Sequence, residues 1–297
     1  MNKSFSIIIP MYNSENFIES CLESLVNINY DHNLIQVLII DDGSSDNGEN
    51  VIKPYLEKYN FFEYHKKNNG QWGSVINYVK NNNLAKNDYI SILDSDDMFT
   101  KESLNILNNI NKDKDLILTS FARWNGKKIT SKVRPYWFLF KKEIKNKRQM
   151  HSPYCLPLIC FSKKEIFYSL KDIREKVAYQ DPDYFSQLVN NSKSLIFTRK
   201  ITGLYYFNRE GNSIAQSWND KRYEAEIYAC NKCIENNAQE VVSYRLGLKK
   251  MRELMKKNND YFYISRDFSF KWFPFYIRWI YNLIYLCFYK KYFKRKE

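Results

Sequence analysis

Residues 89–97 read YISILDSDD, an apolar run that ends abruptly in three carboxylates. A continuous apolar run of this length is typical of a strand that is buried on both faces of a parallel sheet. Residues 5–9 and 35–40 form similar runs, and the segments between them have helical patterns. Strands that alternate with helices in this way predict an α/β fold with a mostly parallel central sheet.

The segments that follow these three strands are expected to meet, because ligands bind beyond the carboxyl ends of the strands in a doubly wound sheet. The first turn, PMYN, contains no glycine, which excludes a dinucleotide-binding GxGxxG turn there. A divalent cation bound by carboxylates can also hold a diphosphate, with phosphate oxygens and water completing its shell. Asp94, Ser95 and Asp96 offer such a site. The alternative is a solvated turn in which Asp97 or Thr100 caps the next helix.

The composition favours anionic partners. In 297 residues, Lys and Arg exceed Asp and Glu by 46 to 33, giving a net charge of +13, which suits nucleic acid, phosphorylated small molecules or an acidic membrane. The CxxC pair, Cys230 and Cys233, lies in a helical pattern and has no second pair to complete a zinc site. The cysteines are expected to be free thiols of a reducing cytoplasm, and no signal-peptide pattern occurs. No apolar stretch of about 18 residues occurs either, so no conventional membrane span is expected.

Four segments together resemble the successive motifs of family 2 glycosyltransferases. They are SIIIPMYNSENFIESCLESL, VLIIDDGSSDNG, NNGQWGSVINYV and YISILDSDD, and both their order and their spacing fit over about residues 4–110. The resemblance implies a GT-A fold, a nucleotide-sugar donor, a Mn²⁺ or Mg²⁺ ion and inversion at the anomeric carbon.

The resemblance also implies a nucleotide pocket at the strand ends. Its expected members are Pro10, Tyr12, Glu15, Asp41, Asp42, Asn69, Gly70 and Asn77. Tyr12 is expected to stack on the base and Asp42 to hydrogen-bond uracil, while the motif around Asn77 is expected near the ribose and diphosphate. Many relatives carry an arginine before the position of Asn77, where this chain has Ile76. As alternatives, Glu15 only favours its helix N-terminus electrostatically, and Asn77 faces solvent.

The same resemblance divides the roles within DSD. Asp96 is implied as the direct metal ligand, and Asp94 as a contact to the ribose or to metal-bound water, with Ser95 between them. The segment MHSPYCLPLICFSKKEIF contributes His151, either as a further ligand at the metal or as a structural histidine.

An inverting transfer also needs a carboxylate that takes the proton of the acceptor hydroxyl as the new bond forms. In VAYQDPDYFSQLV, Asp181 precedes Pro182, which is favourable in the first turn of a helix. This segment resembles the YQD segment that carries the base in a bacterial subgroup of the family. Asp181 is the predicted base, Asp183 is the fallback, and a simple N-cap is the alternative for Asp181.

A loop downstream of the base also resembles that subgroup. The segment LYYFNREGNSIAQS contains Arg209 and Ser213, which are expected to reach the diphosphate and to replace the charge missing at Ile76. The alternative for Arg209 is a solvated loop.

The sequence predicts three regions. Residues 1–220 form a catalytic domain, with a nucleotide-binding part at about 1–120 and an acceptor part at about 121–220. Residues 221–260 form a helical extension, and residues 261–297 form a basic aromatic tail. From residue 270 onward, seven Lys or Arg face one Glu among recurring aromatics, which is typical of an interfacial helix on an anionic membrane. A helix packed on the domain is the alternative.

These patterns predict an inverting glycosyltransferase on the inner face of the cell membrane. It would move a sugar from a UDP-sugar to a hydroxyl of a lipid-linked or polymeric glycan, in the synthesis of a cell-surface polysaccharide. The alternative is a nucleotide-sugar-binding protein without turnover. A nucleic-acid-binding protein is less supported, because no helix-turn-helix, zinc-finger or RNP-like pattern occurs, and no nucleic-acid partner is expected.

Overall fold

The computed structural model describes residues 2–110, 113–134, 143–144, 156–207, 209, 218–236, 238, 242, 249–264 and 290–295. The strands are Phe5–Met11 (β1), Ile35–Asp41 (β2), Phe62–Lys66 (β3), Tyr89–Ile92 (β4), Met98–Phe99 (β5), Leu116–Trp124 (β6), Ile129–Val133 (β7), Glu143–Ile144 (β8), Cys160–Lys163 (β9), Leu195–Tyr206 (β10), Phe262–Ile264 (β11) and Phe293–Arg295 (β12). The α-helices are Ile18–Val26 (α1), Gly48–Lys58 (α2), Trp72–Asn81 (α3), Ser103–Asn108 (α4), Lys164–Tyr168 (α5), Asp181–Asn191 (α6), Asp220–Glu235 (α7) and Lys249–Asn258 (α8).

A large central sheet has the strand order β3-β2-β1-β4-β9-β6-β10-β5, with β7 paired to β6 and β8 to β10. The first four strands in this order are parallel, as the alternation of strands and helices predicts. The α/β fold is therefore confirmed. Beyond β4 the sheet is mixed, because β9 runs antiparallel to both of its neighbours. This strand comes from a middle segment that gives no clear strand pattern in the sequence.

The parallel half of the sheet is covered on both faces, and β2 is buried along its whole length. Helix α1 buries one face, which is formed by Ile18, Cys21, Leu22 and Leu25. It begins at Ile18, after a turn in which Ser14 O accepts hydrogen bonds from the backbone of residues 17 and 18. The side chain of Ser14 does not cap the helix and turns to the strand ends instead.

The C-terminal region begins with α7, which packs against α6 and buries Cys230 and Cys233. Within the part of the chain that the structure describes, no helix is both long enough and apolar enough to cross a bilayer. The predicted interfacial helix falls mostly on residues 265–289, outside the described residues. Residues 290–295 return to the domain, where β12 pairs in parallel with β11 and Phe293 is buried.

Candidate functional site

The ends of β1, β2 and β4 meet at one edge of the sheet. Met11 lies opposite Asp41 in the β1–β2 register, and Asp42 N donates to Met11 O at 2.8 Å. The turns after β1 and β4 are joined by a 2.7 Å hydrogen bond between the hydroxyls of Ser14 and Ser95. Tyr12, Asp42 and Asp94 therefore follow strands that end side by side.

The turn after β1 presents Tyr12 to solvent, with 52% of the residue exposed. Glu15 holds this turn against the neighbouring one, because its carboxylate accepts from Asn47 N at 2.8 Å. Glu15 thus joins the turn after β1 to the start of α2. Pro10 lies half-buried within β1, opposite Ile40. An exposed ring in a fastened turn suits the stacking that is predicted for Tyr12.

Asp41 fastens the turn after β2. The carboxylate is buried and accepts from Ser44 N at 2.7 Å and from the Tyr64 hydroxyl at 2.8 Å. Burial alone would raise the pKa of Asp41, but these hydrogen bonds outweigh it and lower the pKa below its usual value. Gly43 has φ +79°, and a Cβ there would lie 3.1 Å from Asn69 N. Glycine is therefore needed where this turn packs on the NNG segment.

The Asp42 carboxylate is hydrogen-bonded by four donors of the protein itself. Its carboxylate accepts from the Lys67 ammonium at 2.5 Å, from Gln71 N at 2.7 Å, and from Gly70 N and the Ser74 hydroxyl. The Asn69 amide donates to the Asp42 backbone carbonyl at 3.0 Å. A uracil would have to share this carboxylate with four donors, so that contact stays a prediction. Lys67, which the motifs did not single out, is the counter-ion of Asp42.

Asn77 is buried and fastens the segment before α6. Its amide nitrogen donates to Ile173 O at 2.8 Å and to the Glu175 carboxylate at 3.2 Å, while its oxygen accepts from Ile173 N at 2.9 Å. The solvent-facing alternative is therefore wrong. Both donors are engaged, which leaves neither for a ribose or a diphosphate in this conformation.

The carboxylates of the DSD segment have different partners. Asp94 accepts from the indole nitrogen of Trp72 at 2.9 Å. Asp96 forms an ion pair with Arg209, whose guanidinium also lies 5.1 Å from the centre of the Phe17 ring. The structure thus brings Arg209 to this edge, whereas Ser213 and His151 lie outside the described residues.

Asp97 is buried and accepts from Tyr206 N at 2.9 Å, which joins the turn after β4 to the end of β10. The next helix begins at Ser103, whose backbone donates to the carbonyl of Thr100. The capping alternative is therefore wrong for the side chains of both Asp97 and Thr100. Burial, followed by the charges of Asp96 and Asp94, raises the pKa of Asp97 well above its usual value.

The electrostatics of the edge suit a divalent cation. Burial and then the charge of Asp96 raise the pKa of Asp94, against the hydrogen bond from Trp72. Among the described residues, no group of three or more His, Cys, Asp or Glu could hold a metal ion alone. Asp96 and Asp94 offer carboxylate oxygens at this edge, and such oxygens are the ligands that Mg²⁺ or Mn²⁺ takes beside phosphate oxygens and water.

Asp181 is the first residue of α6, with Gln180 at the N-cap position. It lies close enough to Asp94 for its charge to raise the pKa of that carboxyl. Asp183 instead faces α7, where its buried carboxylate accepts from Gln187 at 3.1 Å and from Asn236 at 3.3 Å. Of the two candidate bases, Asp181 is thus the one at the strand edge.

Two further side chains at this edge were missed in the sequence. Trp72 packs edge-on against Tyr184 of α6, with ring centres 5.5 Å apart, while it donates to Asp94. Gln180 accepts from Gly73 N at 2.8 Å. Gln180 stands inside the YQD segment, which is the one signal that could have drawn attention to it.

The chain is similar in sequence to known proteins. The family model described as Glycosyl transferase family 2 matches residues 6–170. The chain is 39% identical to the uncharacterized glycosyltransferase MG060 of Mycoplasma genitalium, over 98% of this chain and 99% of that protein. It is 36% identical to the minor teichoic acid biosynthesis protein GgaB of Bacillus subtilis, over 39% of this chain and 13% of that protein.

Two solved structures share the fold. S. aureus TarS 1–349 in complex with UDP-GlcNAc superimposes with a TM-score of 0.69 at 18% identity, covering 86% of this chain and 76% of that one. The mannosyltransferase PcManGT from Pyrobaculum calidifontis, in complex with GDP-Man and Mn²⁺, gives a TM-score of 0.54 at 12% identity, covering 87% and 80%. The GT-A fold that the sequence predicted is confirmed.

Proposed function

This chain belongs to glycosyl transferase family 2, and we propose that it is an inverting enzyme that uses a UDP-sugar. The observation that carries the proposal is that the start of α6, which contains Asp181, is joined through Trp72 and Gly73 to the edge that contains Asp94 and Asp96. The likeness to TarS with UDP-GlcNAc supports a UDP-sugar donor. The similarity to a teichoic acid biosynthesis protein supports a polymeric or lipid-linked glycan as acceptor.

The donor end of the site is proposed to bind the nucleotide and to neutralise its diphosphate. Tyr12 stacks on the base, and Asp96 with Asp94 would hold Mg²⁺ or Mn²⁺. When bound, such an ion stabilises the negative charge of the departing diphosphate. Arg209 leaves Asp96 and adds its own charge at the diphosphate, in the place of the arginine that relatives carry at the position of Ile76.

The acceptor end is proposed to supply the base. Asp181 takes the proton of the acceptor hydroxyl while that oxygen bonds to the anomeric carbon. The bond from this carbon to the diphosphate breaks on the opposite face, which inverts the configuration. Asp181 lies at the first position of α6, where the helix dipole is positive.

Asp181→Asn tests the base and excludes the binding-only alternative. The change should abolish transfer, because an amide cannot accept the proton, while the affinity for UDP stays within about twofold. Transfer is first established by screening UDP-sugars with Mn²⁺ or Mg²⁺ for UDP release. Full transfer by Asp181→Asn would refute the base assignment, and no release from any UDP-sugar would refute the donor class.

We also propose that the protein binds the anionic inner face of the membrane through its C-terminal region. Lys290, Lys291 and Lys294 are exposed beside the buried Tyr292 and Phe293. Truncation at residue 261 would remove core contacts, so reversal of the three lysines to Glu is the better test. It should abolish flotation with vesicles that contain phosphatidylserine, because each charge contributes about 1 kcal/mol.

The control reverses Lys127 and Lys128, which are exposed between β6 and β7. If the control loses flotation equally, or if the triple reversal keeps it, the C-terminal docking region is refuted.

A further inference from the structure

Gln180, the residue before the proposed base, ties the start of α6 to the start of α3. Its side-chain oxygen accepts from Gly73 N at 2.8 Å, and its side-chain nitrogen donates to Arg174 O. The residue is 5% exposed. Both ends of a buried amide are therefore satisfied by backbone groups of two separate segments, which fixes its position.

The contact depends on the absence of a side chain at residue 73. A Cβ on Gly73 would lie 2.7 Å from the side-chain nitrogen of Gln180 and 2.6 Å from Ile173 Cγ2. Real Cβ atoms do not approach other atoms this closely, so any larger residue would push α3 and Gln180 apart. The neighbouring packing of Trp72 on Tyr184 joins the same two helices.

The start of α3 also belongs to the donor side of the site. Gln71 N donates to Asp42 at 2.7 Å, and Trp72 donates to Asp94 at 2.9 Å. Residues 71–73 thus contact two donor-side carboxylates, through Gln71 N and the Trp72 indole, and, through Gly73 N, the residue that precedes Asp181. A shift of Gln180 relative to Gly73 would change the distance between Asp181 and the donor-side carboxylates.

The backbone before Gln180 would favour such a shift. Tyr179 has φ 58°, in the left-handed region that side chains other than glycine rarely adopt. Conformations of this kind persist only where surrounding contacts hold them. The two hydrogen bonds of Gln180 are such contacts.

We propose that Gln180 is a positioning residue that sets Asp181 against the donor-binding edge. The inference rests on the proposed role of Asp181 as the base. Gln180 does not touch the reacting atoms, and it acts by keeping α6 at a fixed distance from Gly73. Its loss should therefore slow the chemical step more than it weakens donor binding.

The test compares Gln180→Ala with Gln187→Ala. Gln187 is also buried and uses its amide in the same way, accepting from Lys171 N at 2.8 Å and donating to Asp183 at 3.1 Å. Both variants should lose melting temperature to a similar extent, because each removes two hydrogen bonds that are made by a buried side-chain amide. They should differ in kinetics with the UDP-sugar that the donor screen identifies.

Gln180→Ala should lower kcat about 100-fold, since a misplacement of about 1 Å has an effect of this size. KM for the donor and Kd for UDP, measured by calorimetry, should stay within about twofold. Gln187→Ala should keep kcat within about twofold. An equal loss of kcat in both variants, or a loss confined to KM, would overturn the positioning role.

Gly73→Ala supplies an independent perturbation of the same contact. It should lower kcat to a similar extent, and the double variant with Gln180→Ala should be no slower than the worse single variant, because both changes break one contact. If the double variant instead lowers kcat by the product of the two single effects, the proposal is contradicted. Asp181→Asn separates the test of the base from the test of the positioning residue. If Asp181→Asn is inactive while Gln180→Ala is fully active, only the positioning role of Gln180 is refuted.

Discussion

Arg209 is the cationic partner of Asp96 in this structure, and its replacement should change how the donor-free protein responds to metal ions. Its guanidinium pairs with Asp96 and lies over the Phe17 ring. A divalent cation at Asp96 needs the same carboxylate oxygens. Arg209→Ala is therefore expected to destabilise the donor-free protein and to make it more responsive to Mn²⁺.

The magnitude follows from the burial of the pair. The side chains of Arg209 and Asp96 are 28% and 15% exposed. An exposed ion pair contributes about 0–1 kcal/mol, and removal of one partner from a fully buried pair costs about 3–5 kcal/mol. An intermediate cost of about 2 kcal/mol lowers the melting temperature by about 4–8 °C. Mn²⁺ at about ten times its dissociation constant restores about 1.4 kcal/mol.

Thermal unfolding with and without Mn²⁺ measures both effects. At the same concentration, Mn²⁺ should raise the melting temperature of the wild-type protein less than that of Arg209→Ala, because in the wild type the ion must first displace the guanidinium. Arg123→Ala is the control, since Arg123 also stacks on a phenylalanine, 4.5 Å from the centre of the Phe207 ring. Equal stabilisation of wild type and Arg209→Ala by Mn²⁺ would refute the competition.

Two other substitutions separate nucleotide contacts from structural ones. Tyr12→Ala should raise the Kd for UDP about 5- to 150-fold, because a base–aromatic stack contributes about 1–3 kcal/mol; unchanged affinity in calorimetry would show that the exposed ring does not stack. Asn77→Ala should cost at least about 2 kcal/mol of stability, since it leaves the buried N–H and C=O of Ile173 without their partner. The Kd for UDP should stay the same in Asn77→Ala, and a selective loss of UDP binding at wild-type stability would restore the predicted nucleotide role.

The parallel half of the fold and the convergence of its strand ends could be predicted because both follow from local patterns. The apolar runs of β1, β2 and β4 predict buried parallel strands, and the polar turn after each strand must then lie at the same edge of the sheet. The mixed half could not be predicted in the same way. Strand β9 is inserted between β4 and β6, and its neighbours are set by pairing across a long stretch of chain.

The roles of individual motif residues were harder to predict than their positions. Asn77 occupies a motif position, yet its partners lie near residue 173, almost a hundred positions away. Asp42 likewise owes its environment to Lys67 and the start of α3. A motif places a residue along the chain, but the donors and acceptors that occupy its side chain come from segments that the motif does not contain.

The three aspartates of the DSDD turn can be ranked as cation ligands by the partner that each one has. Asp97 receives its hydrogen bond from a backbone amide at the end of β10. Asp94 receives its hydrogen bond from Trp72, whose ring is wedged against Tyr184. Neither donor can move without disturbing the sheet or α6. The partner of Asp96 is the long side chain of Arg209, which can rotate and exchange one anion for another. We therefore expect a cation, with a diphosphate beside it, to bind at Asp96 more readily than at Asp94 or Asp97.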